Sequence, residues 1–488
     1  MLKRSVKRAC LHHLKHTFAL EAYRPGQKAA VHALLRGRDI LCILPTGAGK
    51  SLCWQLPALV HEGLTLVITP LIALMRDQVQ HLAANGVPAA SLNSLMTPEE
   101  RTAVLNNIRE GAIRIVFVSP ERLENRAFRQ LCREINPWMI VVDEVHCMVQ
   151  WGESFRPAYT GIADFMATLR KRPVLCALTA TADEKMQRAI QEALRMRHAR
   201  CILLTIIRDN LTYLCRTTLD RTRDMLELHR LTPCRTVVFC RTRSRCEELS
   251  QLLNAQGFSA DHYHAGLARE ERMDVQQRFQ EGRVEVLCAT TAFGMGVDIP
   301  DIRRIVHEYL PENLIDYVQQ SGRCGRDGQA AECIVLLEPA ELLRCAGIGK
   351  QAMEKYRWRP VQRRRYIHKH WRAKAKVLNL LLTADCIPEG IARAFGSTCK
   401  RCGVCSSCAR GPRLKRIPNL AKMKKWQIRA WLLTWQRDAL AAKRNLSCGA
   451  IASDAELRHA ATTMAFPHRA NPPAELSRLV EYFRSRGE

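Results

Sequence analysis

The run Pro45-Thr46-Gly47-Ala48-Gly49-Lys50-Ser51 joins a short apolar stretch, DILCIL (39–44), to SLCWQLPALV, which has helical character. A glycine-rich turn between strand and helix exposes backbone N–H groups to phosphate oxygens, and the helix N-terminus adds a favourable dipole. In such a turn Thr46, Gly47 and Gly49 shape the loop, Lys50 neutralises β/γ charge and Ser51 ligates Mg2+. The spacing departs from G-x-x-x-x-G-K-S in that Leu44 occupies the first glycine position. Further on, the apolar run from Met139 to Val142 ends in Asp143-Glu144-Val145-His146. An acid at the C-terminal end of a buried strand lies beside a phosphate loop, so Asp143 can hold Mg2+ through its water shell and Glu144 can polarise an attacking water. His146 is counted with them as a catalytic candidate. Arg323 and Arg326 sit in a glycine-rich turn, QQSGRCGRDG (319–328). Arginines of this kind can stabilise charge developing on a γ-phosphate. The chemistry these residues suit is hydrolysis of a nucleoside triphosphate.

A second constellation is Cys399-Lys-Arg-Cys402-Gly-Val-Cys405-Ser-Ser-Cys408. Repeated C-x-x-C spacing lets thiolates converge on one ion, and four sulfurs satisfy a closed tetrahedral zinc site of the structural kind. Zinc is the expected ion, although four thiolates can also hold an iron–sulfur cluster. Just before it, Lys355 to Lys376 holds ten Lys or Arg, four aromatics and no acid, a composition that binds phosphates with steep salt dependence.

These groups must be positioned by elements that the rest of the chain supplies. From about residue 40 to 340, nine short apolar runs alternate with helical segments; WMIVVDE (138–144), RTVVFC (235–240) and ECIVLLE (332–338) are examples. Continuous apolar strands are buried on both faces, as in a parallel sheet covered by helices. No such run lies between Ile207 and Pro233, which predicts a boundary near 210 and two α/β domains, 1–210 and 211–345. After about 345 the chain becomes helical and basic, giving a cysteine-bearing module over 346–412 and a helical tail over 413–488. With 75 Lys plus Arg against 47 Asp plus Glu, the net charge of +28 points to polyanions. With 47% hydrophobic residues, wholesale disorder, collagen and coiled coil are excluded, and no run reaches the ~18–20 apolar residues of a membrane span. The basic N-terminal segment reads as a helix that stays on the protein. Twenty-one cysteines without a signal peptide predict a reducing compartment, the cytoplasm, at the nucleoid if the source is bacterial.

The motifs fall in a familiar order: YRPGQ (23–27), the phosphate loop, TPLIALMRDQV (69–79), DEVHCMVQWGESFRPAY (143–159), ALTATA (177–182), YHAGL (263–267), ATTAFGMGVDIPDIR (289–303) and QQSGRCGRDG. From Phe18 to about Cys408 the chain resembles the RecQ-type DNA helicases of helicase superfamily 2. The resemblance implies two tandem RecA-like domains, then a helical zinc module. It implies that Arg24 and Gln27 recognise adenine, that Thr179 to Thr181 link ATP to DNA, and that the loop with Trp151, Phe155 and Arg156 contacts single-stranded DNA. It also implies that the zinc ligands are Cys386, Cys402, Cys405 and Cys408, with Cys399 the alternative for the first position. Leu20 departs from the family, which usually has an adenine-stacking aromatic there, as do Glu153 and Ser154, where His-Asp is usual. The segment 432–464 faintly resembles the start of the small HRDC domain. The expectation is an ATP- and Mg2+-dependent DNA helicase with bound zinc, acting 3′-to-5′ on single-stranded and partly duplex DNA in repair or recombination. Single-strand-binding or repair proteins would be its partners. Alternatives are a DNA-stimulated ATPase that translocates or remodels nucleoprotein without efficient strand separation, and a non-catalytic DNA-binding scaffold.

Overall fold

The computed structural model describes residues 2–45, 47–70, 72–93, 96–151, 159, 161–293, 299–383, 386–409, 417–444, 451–467 and 472–486. The chain divides into two compact lobes: Met1–Arg208 with Ala392–Cys399, and Asp209–Phe293 with Ile299–Ile391 and Lys400–Glu488. Each is built on a parallel sheet.

In the first lobe the strands are β1 (Ile40–Ile43), β2 (Thr65–Ile68), β3 (Ala89–Leu92), β4 (Ile115–Val118), β5 (Met139–Val142), β6 (Val174–Thr179) and β7 (Arg200–Leu203). Their order across the sheet is β3-β4-β2-β5-β6-β1-β7, with every pairing parallel. Residues of β1, β2, β4 and β5 are buried throughout, as continuous apolar runs covered by helices on both faces must be. The N-terminal helix Arg4–His16 buries Cys10 and Leu14 against Val31, Leu52 and Leu56, and Leu20 packs at the edge of the same cluster.

The second lobe holds β8 (Leu211–Thr217), β9 (Thr236–Phe239), β10 (Ala260–Tyr263), β11 (Val286–Ala289), β12 (Arg304–His307) and β13 (Ala331–Leu337), ordered β10-β11-β9-β12-β13-β8 and parallel throughout. The strand β8 lies in the stretch after Ile207 where no apolar run was expected; its alternating burial suits an edge position. Helices Pro339–Lys355, Pro360–Leu382, Lys425–Arg444, Asp454–Thr463 and Ala474–Ser485 complete this lobe. The last docks where Ala340 N donates to Tyr482 Oη and Arg486 pairs with the buried Glu338 at 2.9 Å. Arg221 reaches both Glu338 (2.5 Å) and Glu341 (3.1 Å), and Arg241 reaches Glu341 (2.5 Å), so these two buried carboxylates keep cationic partners.

His307 is fully buried in β12, its ring 5.6 Å from Phe239 and 5.3 Å from Tyr317. Burial pushes its pKa down to about 4, with Gln320 opposing in part. The folded state therefore binds this proton more weakly than the unfolded chain, whose value is about 6.5, so the stabilisation is present above 6.5 and is lost as pH falls towards 4. Between pH 7 and pH 5 this group should cost about 2 kcal/mol. Urea midpoints measured at both pH values should separate less in His307→Leu than in the parent; equal separations would refute the assignment.

Candidate nucleotide and metal sites

The phosphate loop leaves β1 with Leu44 N bonded to Thr179 O and enters the helix Leu52–Val60. Gly47 and Gly49 have φ of 82° and 74°. The positive φ of Gly49 disfavours a side chain, and a Cβ there would stand 2.5 Å from Gln27 Nε2 and displace the amide that holds the loop. Gln27 Nε2 donates to Ala48 O (3.2 Å) and Gly49 O (3.0 Å), and Arg24 donates to Gly47 O (2.6 Å). Carbonyls facing a phosphate would repel it; here donors from Arg24 and from Gln27, the first residue of the helix Gln27–Leu34, satisfy them and fix the loop's orientation. Thr46 lies outside the described residues.

At the C-terminal end of β5, Lys50 Nζ is 3.7 Å from Glu144 Oε1, and Glu144 Oε2 is 3.2 Å from His146 Nδ1. Glu144 has φ of 48°, a left-handed backbone unusual for a side chain of its size, and its N–H donates to Asp143 Oδ1 at 2.9 Å. His146 Nδ1 also lies 3.1 Å from Thr179 Oγ1, whose hydroxyl donates to Thr181 O, so the ring nitrogen is the donor to Thr179. These bonds tie the acid motif to the end of β6. Burial, reinforced by Glu144, raises Asp143 to about 6 against the pull of Lys50. Burial would lower His146, yet contacts with Cys147 and Glu144 outweigh it and raise the ring to about 10. The first lobe thus brings together Lys50, Asp143, Glu144 and His146, a cation and two acids beside a phosphate loop. Sequence reasoning missed the histidine's link to Thr179; the spacing of two separate motifs carries no sign of it. For the candidate DNA contacts, Phe155 and Arg156 lie outside the described residues, as does the side chain of Trp151.

In the second lobe, Arg323 and Arg326 follow the helix Leu314–Ser321 and are partly buried. Asn210 Nδ2 donates to Gly325 O (2.8 Å) and Gln329 O (2.7 Å), and Gly325 N donates to Ile302 O. Gly325 has φ of 55°, and a Cβ there would stand 2.6 Å from Asn210 Nδ2. The turn is therefore held from beneath, with Asn210 a positioning residue that its place outside the motif concealed.

The sulfurs of Cys386, Cys402, Cys405 and Cys408 all lie within 4.8 Å of one another. Cys386 to Cys402 is 3.6 Å and Cys402 to Cys408 is 4.0 Å. Four ligands about 2.3 Å from one ion at tetrahedral angles stand roughly 3.8 Å apart, so the spacing fits zinc. Backbone N–H groups of Cys402, Cys405 and Ile387 point at Cys386, Cys402 and Cys405 sulfurs, each at 3.4 Å, as donors to thiolates do. Burial raises Cys402 to about 12; at Cys408 burial acts upwards too, but bonds from Arg401 and its neighbours bring the thiol to about 7. Cys399 does not join the four. Between the ligands, Ser406 N donates to Tyr213 O (3.2 Å) and Cys215 N donates to Ser406 Oγ (3.0 Å), so the cysteine loop covers β8 at the sheet edge. A further group, Glu247, His262 and His264, is less suited to a metal: His264 Nδ1 accepts from Gly266 N, leaving Nε2 protonated and donating to Glu247 at 2.8 Å. Among the described residues no helix is long and apolar enough to cross a membrane.

The DEAD/DEAH box helicase family matches residues 24–189, and the helicase conserved C-terminal domain matches 217–328. The two compact lobes are thus the paired domains of a helicase. The "ATP-dependent DNA helicase RecQ" of Haemophilus influenzae is 38% identical over 73% of this chain and 56% of its own length; that of Bacillus subtilis is 34% identical over 80% and 66%. The protein of the same name from Synechocystis is 38% identical over 66% of this chain and 70% of its own. The chain belongs to the RecQ helicase family, although it spans little more than half of the Haemophilus relative. The fold is shared with the DUF1998 helicase MrfA bound to DNA (TM-score 0.59, 19% identity, 76% of this chain and 54% of that one). It is also shared with the Mycobacterium smegmatis helicase Lhr bound to single-stranded DNA and AMP-PNP (0.54, 17%, 79% and 58%).

Proposed function

We propose that the chain is an ATP-dependent DNA helicase that hydrolyses ATP on single-stranded DNA and moves 3′-to-5′, in DNA repair or recombination. The observation that carries this reading is the grouping of Lys50, Asp143, Glu144 and His146 at the phosphate loop. Lys50 pairs with Glu144 at 3.7 Å. A γ-phosphate competes for Lys50, and Glu144, released from that pair, can orient and deprotonate the attacking water. Ser51 and Asp143 would hold Mg2+, which offsets the charge of the phosphates. Arg323 and Arg326 stabilise charge developing on the γ-phosphate, and Arg24 and Gln27 govern the adenine end. Trp151, Phe155 and Arg156 contact single-stranded DNA. Cys386, Cys402, Cys405 and Cys408 would hold a structural zinc. A net charge of +28 supports a polyanionic substrate.

A second reading is a translocase that does not separate strands efficiently. ATP turnover with and without single-stranded DNA, beside unwinding of a 3′-tailed duplex, decides. Stimulated turnover with strand separation is the expected result, stimulated turnover alone supports the translocase, and no turnover sinks both.

A further inference from the structure

Outside these sites the second lobe carries an unneutralised cationic and aromatic edge. It is the turn between helices Pro339–Lys355 and Pro360–Leu382 together with the start of the second helix. Trp358 stands on that turn and is 82% exposed, the highest value for a large apolar side chain among the described residues, with Met353 (58%) and Val361 (64%) beside it in sequence. Arg357 lies over the indole at 5.1 Å, and Lys355 Nζ is 5.6 Å from the rings of both Tyr356 and Tyr366. Tyr366 in turn stacks on His370 at 3.8 Å. Among the described residues no carboxylate pairs with Arg357, Arg359, Arg364, Arg365, Lys369 or Arg372, whereas Lys374 is neutralised by Glu312 at 2.9 Å.

Charge without aromatics would suit any polyanion. Rings interleaved with unpaired guanidinium groups suit a strand that offers both phosphates and free base faces. Paired bases hide their faces, so a duplex could use only half of this surface.

We infer that this edge is an accessory contact for single-stranded nucleic acid, Trp358 stacking on an unpaired base while Arg364 and Arg365 follow the phosphates. The inference rests on the reading of the chain as a DNA-dependent motor and adds a site to it.

The test uses the full chain, without nucleotide, and the fluorescence anisotropy of a labelled oligothymidylate and of a blunt duplex of equal length. Trp358→Ala should weaken single-strand binding about tenfold and leave duplex binding unchanged, and Trp358→Phe, which keeps a stacking face, should recover most of the loss. Arg364→Gln with Arg365→Gln should flatten the slope of log affinity against log salt by about 1.4. Unchanged single-strand affinity in Trp358→Ala overturns the proposal, and so does an equal loss on the blunt duplex. DNA-stimulated turnover of the parent protein separates the two readings. Stimulated turnover with normal binding by Trp358→Ala defeats this surface alone; absent stimulation with weakened binding defeats the motor reading and leaves the surface standing.

Discussion

Lys50→Ala should abolish ATP turnover, lowering it by about a thousandfold or more, while affinity for single-stranded DNA stays within about threefold of the parent. A charge removed from the transferring phosphoryl group in a site of low dielectric is worth several kcal/mol, and each ~1.4 kcal/mol is a factor of ten in rate. The fold should survive, because Glu144 keeps His146 as its partner when Lys50 is removed. The substitution also has a second effect. Lys50 holds the Asp143 carboxyl down, so its loss should raise further a group already at about 6. In the proposed role Asp143 would hold Mg2+ through its water shell only as a carboxylate, so Mg2+ binding should weaken as pH falls, and in the variant it should need a higher pH than in the parent. Full turnover by Lys50→Ala would remove the assignment of the loop.

Cys405→Ser should take the purified protein from about one equivalent of zinc to almost none, whereas Cys399→Ser should keep it. Cys405 is fully buried and its sulfur accepts from Ile387 N, so a hydroxyl there is both a poorer ligand and a poor fit. Structural zinc contributes binding energy of about 10–16 kcal/mol, and in a small module this is folding energy. Loss of metal should therefore loosen residues 386–409, seen as new proteolytic cleavage there and a lower Tm. Since Cys402 and its neighbours must lose protons to bind, affinity for the metal should rise with pH. A Cys405→Ser protein that kept its zinc, or a Cys399→Ser protein that lost it, would redraw the ligand set; iron in place of zinc would change the class of site.

The nine apolar runs legible in the sequence are β1, β2, β4, β5, β6, β9, β11, β12 and β13, the interior strands of the two sheets. The four that were not legible, β3, β7, β8 and β10, are the four sheet edges. The reason is physical: an edge strand has a neighbour on one side only, so ADHY and RCIL leave residues partly or largely exposed and carry no continuous apolar signal. At the site, residue type and spacing were enough to single out Lys50, Asp143 and Glu144, because phosphate and metal chemistry restrict the choice of side chain. The left-handed backbone of Glu144 was not legible, since nothing in its type marks φ of 48°. Cys386 was reached only through family resemblance, because it lies sixteen residues before its bonding partner Cys402 and outside the C-x-x-C repeat. Ser406 was passed over as a spacer between ligands, although it holds the loop on β8.

The docking of Tyr482 and Arg486 on Ala340 and Glu338 bears on how the protein is made. Synthesis proceeds from the N-terminus at about 5–20 residues per second. The second lobe begins at Asp209, and Arg486, the cation that joins Arg221 at Glu338, comes 277 residues later. All seven strands of the first lobe are therefore synthesised about half a minute before the helix Ala474–Ser485 is available to dock on the second, and in that interval Glu338 has Arg221 but lacks Arg486.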